Sequence, residues 1–179
     1  MKILLPPGWP RPRGYSNGVA VKGSMVFVAG MIGWDAQGKF HTSDMAGQVR
    51  QALQNIVDVL KEGGAKPEHI VRMTWYVTDK KEYVAAYPEI GVAFRELIGS
   101  FNAVMTAVEV AALIEDQAKV EIEVTAVIPE YTGFAIILIA ACAQPVCARA
   151  LFDLRKQACQ AASAASMSAL SLAGVSIGA

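Results

Sequence analysis

The chain has 179 residues, 54% of them hydrophobic, and its sixteen Lys and Arg are cancelled by sixteen Asp and Glu. That length accommodates one domain, or one domain with an appendage, around a buried core. The zero net charge argues against a bulk electrostatic pull toward nucleic acid or an anionic membrane.

The opening MKILLPPGWPRPRG offers only Ile3, Leu4 and Leu5 before its prolines. A signal-peptide core needs roughly seven or more apolar residues, so a cytoplasmic location is expected. NGVAVKGSMVFVAGMI follows, two apolar runs around Lys22 and Gly23, which predicts a hairpin. WDAQGKF then predicts a turn in which Gly38 takes positive φ. From TSDMAGQVRQALQNIVDVLKEGG onward the period changes. Met45, Val49, Leu53, Ile56 and Leu60 recur at helical spacing, with Ser43 or Asp44 to cap the start and Gly63-Gly64 to end it.

IVRMTWYVT (70–78) alternates, placing Val71, Met73, Trp75 and Val77 on one face and Arg72, Thr74 and Tyr76 on the other. A second helical region follows Asp79, striped by Tyr83, Tyr87, Ile90, Phe94 and Leu97, with Pro88 dividing it into a short piece and a new start. Strands around 105–113 and 118–128 complete the organised part. The order β-β-α-β-α-β-β predicts an α+β layer with helices packed on one face of a sheet. Alternation in AKVEIEVTAVI sends Val120, Ile122, Val124 and Ala126 one way and Glu121, Glu123 and Thr125 the other. In the strand before it, Val108 and Val110 are expected against the helices, and Met105, Ala107 and Glu109 on the face of Glu121. A sheet face that mixes carboxylates, Arg72, Thr74 and apolar residues is expected to be covered by another subunit or to line a cleft.

Composition shifts near residue 130, so the chain reads as a domain over 1–130 and an extension over 131–179. The extension holds four charged residues, all three cysteines and a long Ala/Ser run. Its apolar stretch GFAIILIAACA would reach about 16 Å as a helix, against a hydrocarbon core of about 30 Å, so no membrane association is expected. A loosely held appendage without active-site residues is the expectation there.

Three segments in this order and spacing carry a family resemblance: GYSNGVAVKGSMVFVAGMIG, QVRQALQNIVDVLKEGGAKPEHIVRMTWYVTD, and AVEVAAL followed by AKVEIEVTAVIP. Over about residues 13–128 the chain resembles the Rid family, also called YjgF or L-PSP endoribonuclease-like. The resemblance implies a chorismate-mutase-like α+β fold, assembled as a homotrimer with clefts between subunits. It also implies hydrolysis of reactive enamines and imines to a keto acid and ammonia, without metal or cofactor. The family's arginine, in a context like P-A-R-S, falls on Met105 within Ala103-Val104-Met105-Thr106. Arginine grips a substrate carboxylate through two charge-assisted hydrogen bonds; a thioether supplies neither. The lost contact is worth roughly 1.5–3 kcal/mol. The chain therefore resembles an Arg-less branch.

By the same resemblance Tyr15 matches the tyrosine of a G-P-Y segment and Glu121 the water-holding glutamate of I-E-I-E. Ala29 replaces a serine and Met31 a glutamine around Gly30. The candidate catalytic residues are Glu121 and Tyr15. The candidate ligand-binding residues are Ala29, Gly30, Met31, Met105 and Thr106. A greasier pocket that keeps a carboxylate fits a larger, less charged ligand. Plainer readings stand beside these. Glu121 is alternatively a structural carboxylate paired with Arg72 or Lys119, Met105 plain packing, Glu109 half of a structural ion pair, and Trp34 a lid aromatic or a packed hairpin ring.

Other chemistries fail on inventory. His41 and His69 have no metal-ligand spacing, and no G-x-S-x-G, GxxxxGK[ST] or GxGxxG occurs. No metal or cofactor is expected. The expected partners are a small-molecule ligand and copies of the chain. Two functions remain in view, cofactor-free deamination of an imine or enamine and a ligand-binding or regulatory module without chemistry. Endoribonuclease or translation-inhibitor activity is a distant third, since no histidine pair exists to cleave RNA.

Overall fold

The computed structural model describes residues 1–100 and 102–130, so the expectations for 131–179 lie outside the described residues. The elements in order are β1 (Lys2–Leu4), β2 (Gly18–Ala20), β3 (Gly23–Ile32), α1 (Met45–Glu62), β4 (Ile70–Val77), α2 (Lys80–Ala85), α3 (Tyr87–Leu97), β5 (Val104–Glu109) and β6 (Val120–Pro129).

Helix α1 forms where the apolar spacing demands it. Met45, Val49, Ala52, Leu53, Ile56 and Leu60 are buried along one stripe. Of the two candidate caps Asp44 serves, its carboxylate accepting the Gly47 N–H at 2.7 Å, and Gly63 closes the C-terminus. Asp79 caps α2 in the same way through Lys81 and Glu82. Pro88 sits in the first turn of α3, where its missing N–H costs nothing, so the second helical region splits as expected.

Both capping carboxyls are held below the usual carboxylate range. The leading cause at Asp44 is the Thr42 hydroxyl, followed by the Gly47 N–H; at Asp79 it is the Glu82 N–H. A pKa lowered by folding gives stability that is present above the ordinary carboxylate range and lost as pH falls through it. Acidification should therefore lower the denaturant midpoint more steeply in the wild type than in Asp44→Asn, which keeps a capping side chain that does not titrate.

The main sheet runs β3-β6-β4-β5, with β4 and β5 parallel and the other neighbours antiparallel. The α2–α3 pair makes the crossover that a parallel β4–β5 neighbour requires. One face carries Met73, Trp75, Ile122 and Val124 into a single core with α1, Tyr83 and Ile90. Among the described residues no helix packs on the other, which is called the open face below.

The hairpin around Lys22 and Gly23 does not form. Strand β2 pairs with β1, while β3 runs antiparallel to β6, with Val28 opposite Val124. Apolar runs do not name their partner; β3 goes where Val28 reaches the α1 core. Gly23 makes the close approach possible. Its φ is 152°, and a Cβ there would stand 2.0 Å from the Ile128 carbonyl oxygen. Gly23→Ala should cost about 1–3 kcal/mol from backbone strain, before any steric term, read as a fall in Tm.

Strand faces also need one correction. β5 pairs in register Met73–Met105, Thr74–Thr106 and Trp75–Ala107, so Met105 lies on the helix-packed face, against the core, and Thr106 and Val108 lie on the open face. The expected assignment was the reverse. Both stripes of this edge strand are partly apolar, and alternation alone gives no reason to prefer one.

Candidate functional site

Glu121 stands near the start of β6 on the open face, paired across the sheet with Tyr76. Gln48 fixes this end of the strand. It is buried on α1, accepts the Lys119 N–H at 2.8 Å and donates to the Gln117 carbonyl at 2.8 Å. Both plainer partners for Glu121 are engaged elsewhere. Lys119 Nζ holds the Glu82 carboxylate at 2.6 and 2.7 Å, and Arg72, set opposite Thr125 and not Glu121, donates to the Thr74 hydroxyl at 3.4 Å. Among the described residues Glu121 makes no hydrogen bond or ion pair, so the alternative reading of a structural pairing with Arg72 or Lys119 finds no support there.

Its carboxylate lies instead over Gly30. A Cβ built on Gly30 would come 1.8 Å from Glu121 Oε1. The arrangement depends on a bulge in β3. Val28 pairs with Val124 and Met31 with Ile122, so Ala29 and Gly30 together oppose Glu123. The bulge resets the alternation: Met31 falls on the core side and packs against it, while Ala29 stays exposed on the open face.

Ala29 borders a shallow hollow of about 440 Å³ lined also by Phe27, Arg72, Thr74, Glu123 and Thr125. Tyr76 Oη donates to Glu123 Oε2 at 3.2 Å, and that carboxylate is the main reason the phenol titrates above its ordinary range. Alternation puts Tyr76 and Glu123 on one face, but their contact is diagonal, since Tyr76 lies opposite Glu121 and Glu123 opposite Thr74, and only the strand register reveals it. Phe27 is 70% exposed and Met25 58%, so this face carries apolar surface of the kind that another chain covers.

Tyr15 sits elsewhere. Its neighbour Ser16 is buried and stapled to the entry of β5, donating its N–H to the Ala103 carbonyl at 2.8 Å and its hydroxyl to the Asn102 carbonyl at 2.7 Å. The exposed Tyr15 ring therefore stands beside the strand that carries Met105, in a small recess with Ile3, Leu5 and Arg11. Glu109 is structural in a different way from that expected: it accepts the Lys80 N–H at 2.9 Å, at the start of α2. Trp34 packs on Phe40, ring centres 6.2 Å apart, as hairpin packing requires.

The candidates thus fall into two groups. Glu121, Ala29 and Gly30 meet on the open face of β3 and β6. Met105 lies on β5 and Tyr15 beside its entry, beyond β4 and, for Met105, on the opposite face. Thr106 shares the open face but lies on the far strand. A more voluminous hollow, about 690 Å³, lies between residues 40–43, Gln48, Thr78 and residues 111–113 and 115–119, and is bordered by none of these candidates. Among the described residues no group of three or more His, Cys, Asp or Glu is placed to hold a metal, and no helix is long and apolar enough to cross a membrane.

Helices on one face of a mixed sheet, an arrangement similar to solved YjgF-type structures, define a chorismate-mutase-like α+β protein. The chain belongs to the endoribonuclease L-PSP family, the Rid or YjgF family of the sequence resemblance, whose profile matches residues 10–128. It is 34% identical over 113 residues to the 2-iminobutanoate/2-iminopropanoate deaminase of Salmonella typhimurium, covering 63% of this chain and 86% of that one. Its fold is similar to that of YyfB, a Rid-family protein of Yersinia pestis, with TM-score 0.63, 28% identity and coverage of 71% and 98%. Escherichia coli TdcF with bound serine is similar at TM-score 0.53 and 31% identity, covering 72% of this chain and 99% of that one.

Proposed function

We propose that this protein hydrolyses an imine or enamine of a small metabolite, without cofactor, in a cleft between two copies of the chain. The observation that carries the reading is the Glu121 carboxylate, half-buried on a sheet face, with no hydrogen bond or ion pair among the described residues. A carboxylate in that condition is available to a water molecule. Kinship to a protein named 2-iminobutanoate/2-iminopropanoate deaminase supports the reaction class.

In the reaction, Glu121 takes a proton from water as the water oxygen attacks the C=N carbon. Glu121 passes that proton to the nitrogen, giving a carbinolamine. It then takes the carbinolamine hydroxyl proton and delivers it to the nitrogen as the C–N bond breaks, so that a carbonyl product and ammonia leave and the carboxylate is restored. Tyr15 and Met105 shape the substrate from the neighbouring chain, since one chain holds them across the sheet from Glu121. A homotrimer is the assembly that the family resemblance implies. Met105 places a thioether where relatives hold a carboxylate, which favours a less anionic substrate.

The test is ammonia release from imines made in place by an amino-acid oxidase, across acidic, small and large apolar side chains. The reading expects turnover that favours large apolar imines. Preference for acidic imines would overturn the role given to Met105. Ligand-induced thermal shifts with no turnover on any imine would favour a binding module instead.

A further inference from the structure

The bulge in β3 gives Gly30 a function distinct from contact with a ligand. Gly30 does not occupy the left-handed region, so its backbone accepts an L side chain without strain. Space is the obstacle, and one residue fills it. The three atoms nearest to an added Cβ all belong to Glu121: Oε1 at 1.8 Å, Cδ at 2.6 Å and Cγ at 2.8 Å. Real Cβ atoms do not come within 3.0 Å of such neighbours, so carboxylate and methyl exclude each other.

From this we propose that Gly30 is a positioning residue: the missing side chain is the seat on which the Glu121 carboxylate rests. The proposal rests on the catalytic reading of Glu121 for its kinetic consequence but not for its geometry. Glu121 has no hydrogen-bond partner among the described residues to hold its rotamer, so contact with the bulge is what fixes it. The bulge is needed because strict alternation would turn Gly30 toward the core, away from Glu121. Its neighbour Ala29, exposed on the same bulge, does not have Glu121 against it in this way.

Gly30→Ala tests this directly. The obstructed group is the free end of a flexible side chain, so the fold survives and the carboxylate swings aside. Replacing Gly by Ala in a strand is neutral or slightly stabilising where the backbone permits it. A displacement of about 1 Å in a catalytic group costs about 100-fold in rate. The expected result is therefore a fall in kcat of about 100-fold with Tm unchanged or raised. Combined with Glu121→Gln, Gly30→Ala should add little further loss, because the side chain it displaces has already lost its chemistry. Independent losses that multiply would mean that Gly30 acts through something other than Glu121.

A crystal structure of Gly30→Ala gives the readout that needs no activity. The Glu121 carboxylate should be displaced from its wild-type position with β3 and β6 unmoved. A carboxylate still in place, or full activity in Gly30→Ala while Glu121→Gln is inactive, overturns the proposal and leaves the catalytic reading standing. Activity unaffected by Glu121→Gln overturns the catalytic reading, and the crystal structure then still decides the positioning claim.

Discussion

Replacing Glu121 by Gln should lower ammonia release from imines by about 10²–10⁴-fold, the usual contribution of a positioned general base. Stability should change by no more than about 0.5 kcal/mol. The second expectation follows from the first observation: Glu121 makes no hydrogen bond or ion pair among the described residues, so the amide breaks none. Gln keeps the length and shape of the side chain and still orients a water molecule. It does not take the water's proton. A variant that loses activity together with several degrees of Tm would point to a structural acid, and one that retains turnover would remove Glu121 from the mechanism.

The second large effect runs in the opposite direction. Met105→Arg should raise kcat/KM on small 2-imino acids by about tenfold to a hundredfold. That is the range corresponding to one charge-assisted hydrogen-bond contact worth about 1.5–3 kcal/mol. Met105 is only partly buried on the edge strand, so an arginine stem has a route along the apolar surface while its head remains in water. The gain should be confined to substrates that carry a carboxylate near the C=N bond. Equal kcat/KM for the wild type and the variant, in a protein of unchanged Tm, would mean that residue 105 does not face the substrate.

Much of the fold was legible because the signals are local. The α1 stripe, a cap at Ser43 or Asp44, the helical region after Asp79, the break at Pro88 and the alternation of β4 and β6 each follow from side chains within a few residues of one another. The failures share a cause. The hairpin at Lys22 and the face of β5 depend on which distant strand each segment joins, and neither composition nor period encodes that choice. Glu121 was legible as a candidate through the family motif. That it makes no hydrogen bond or ion pair among the described residues was not, because Lys119 stands two residues away in sequence and the register that sets Arg72 opposite Thr125 is not a local property.

The sequence by itself determined the element types, the family, and a thioether at residue 105, because these are properties of residue identity and spacing. Only the tertiary structure decided that Lys119 is committed to Glu82, that a bulge brings Gly30 beneath Glu121, and that Met105 faces away from that acid within one chain. The reason is register. A strand offers both faces to whatever lies beside it, and a single extra residue in a neighbour decides which side chain lies under which.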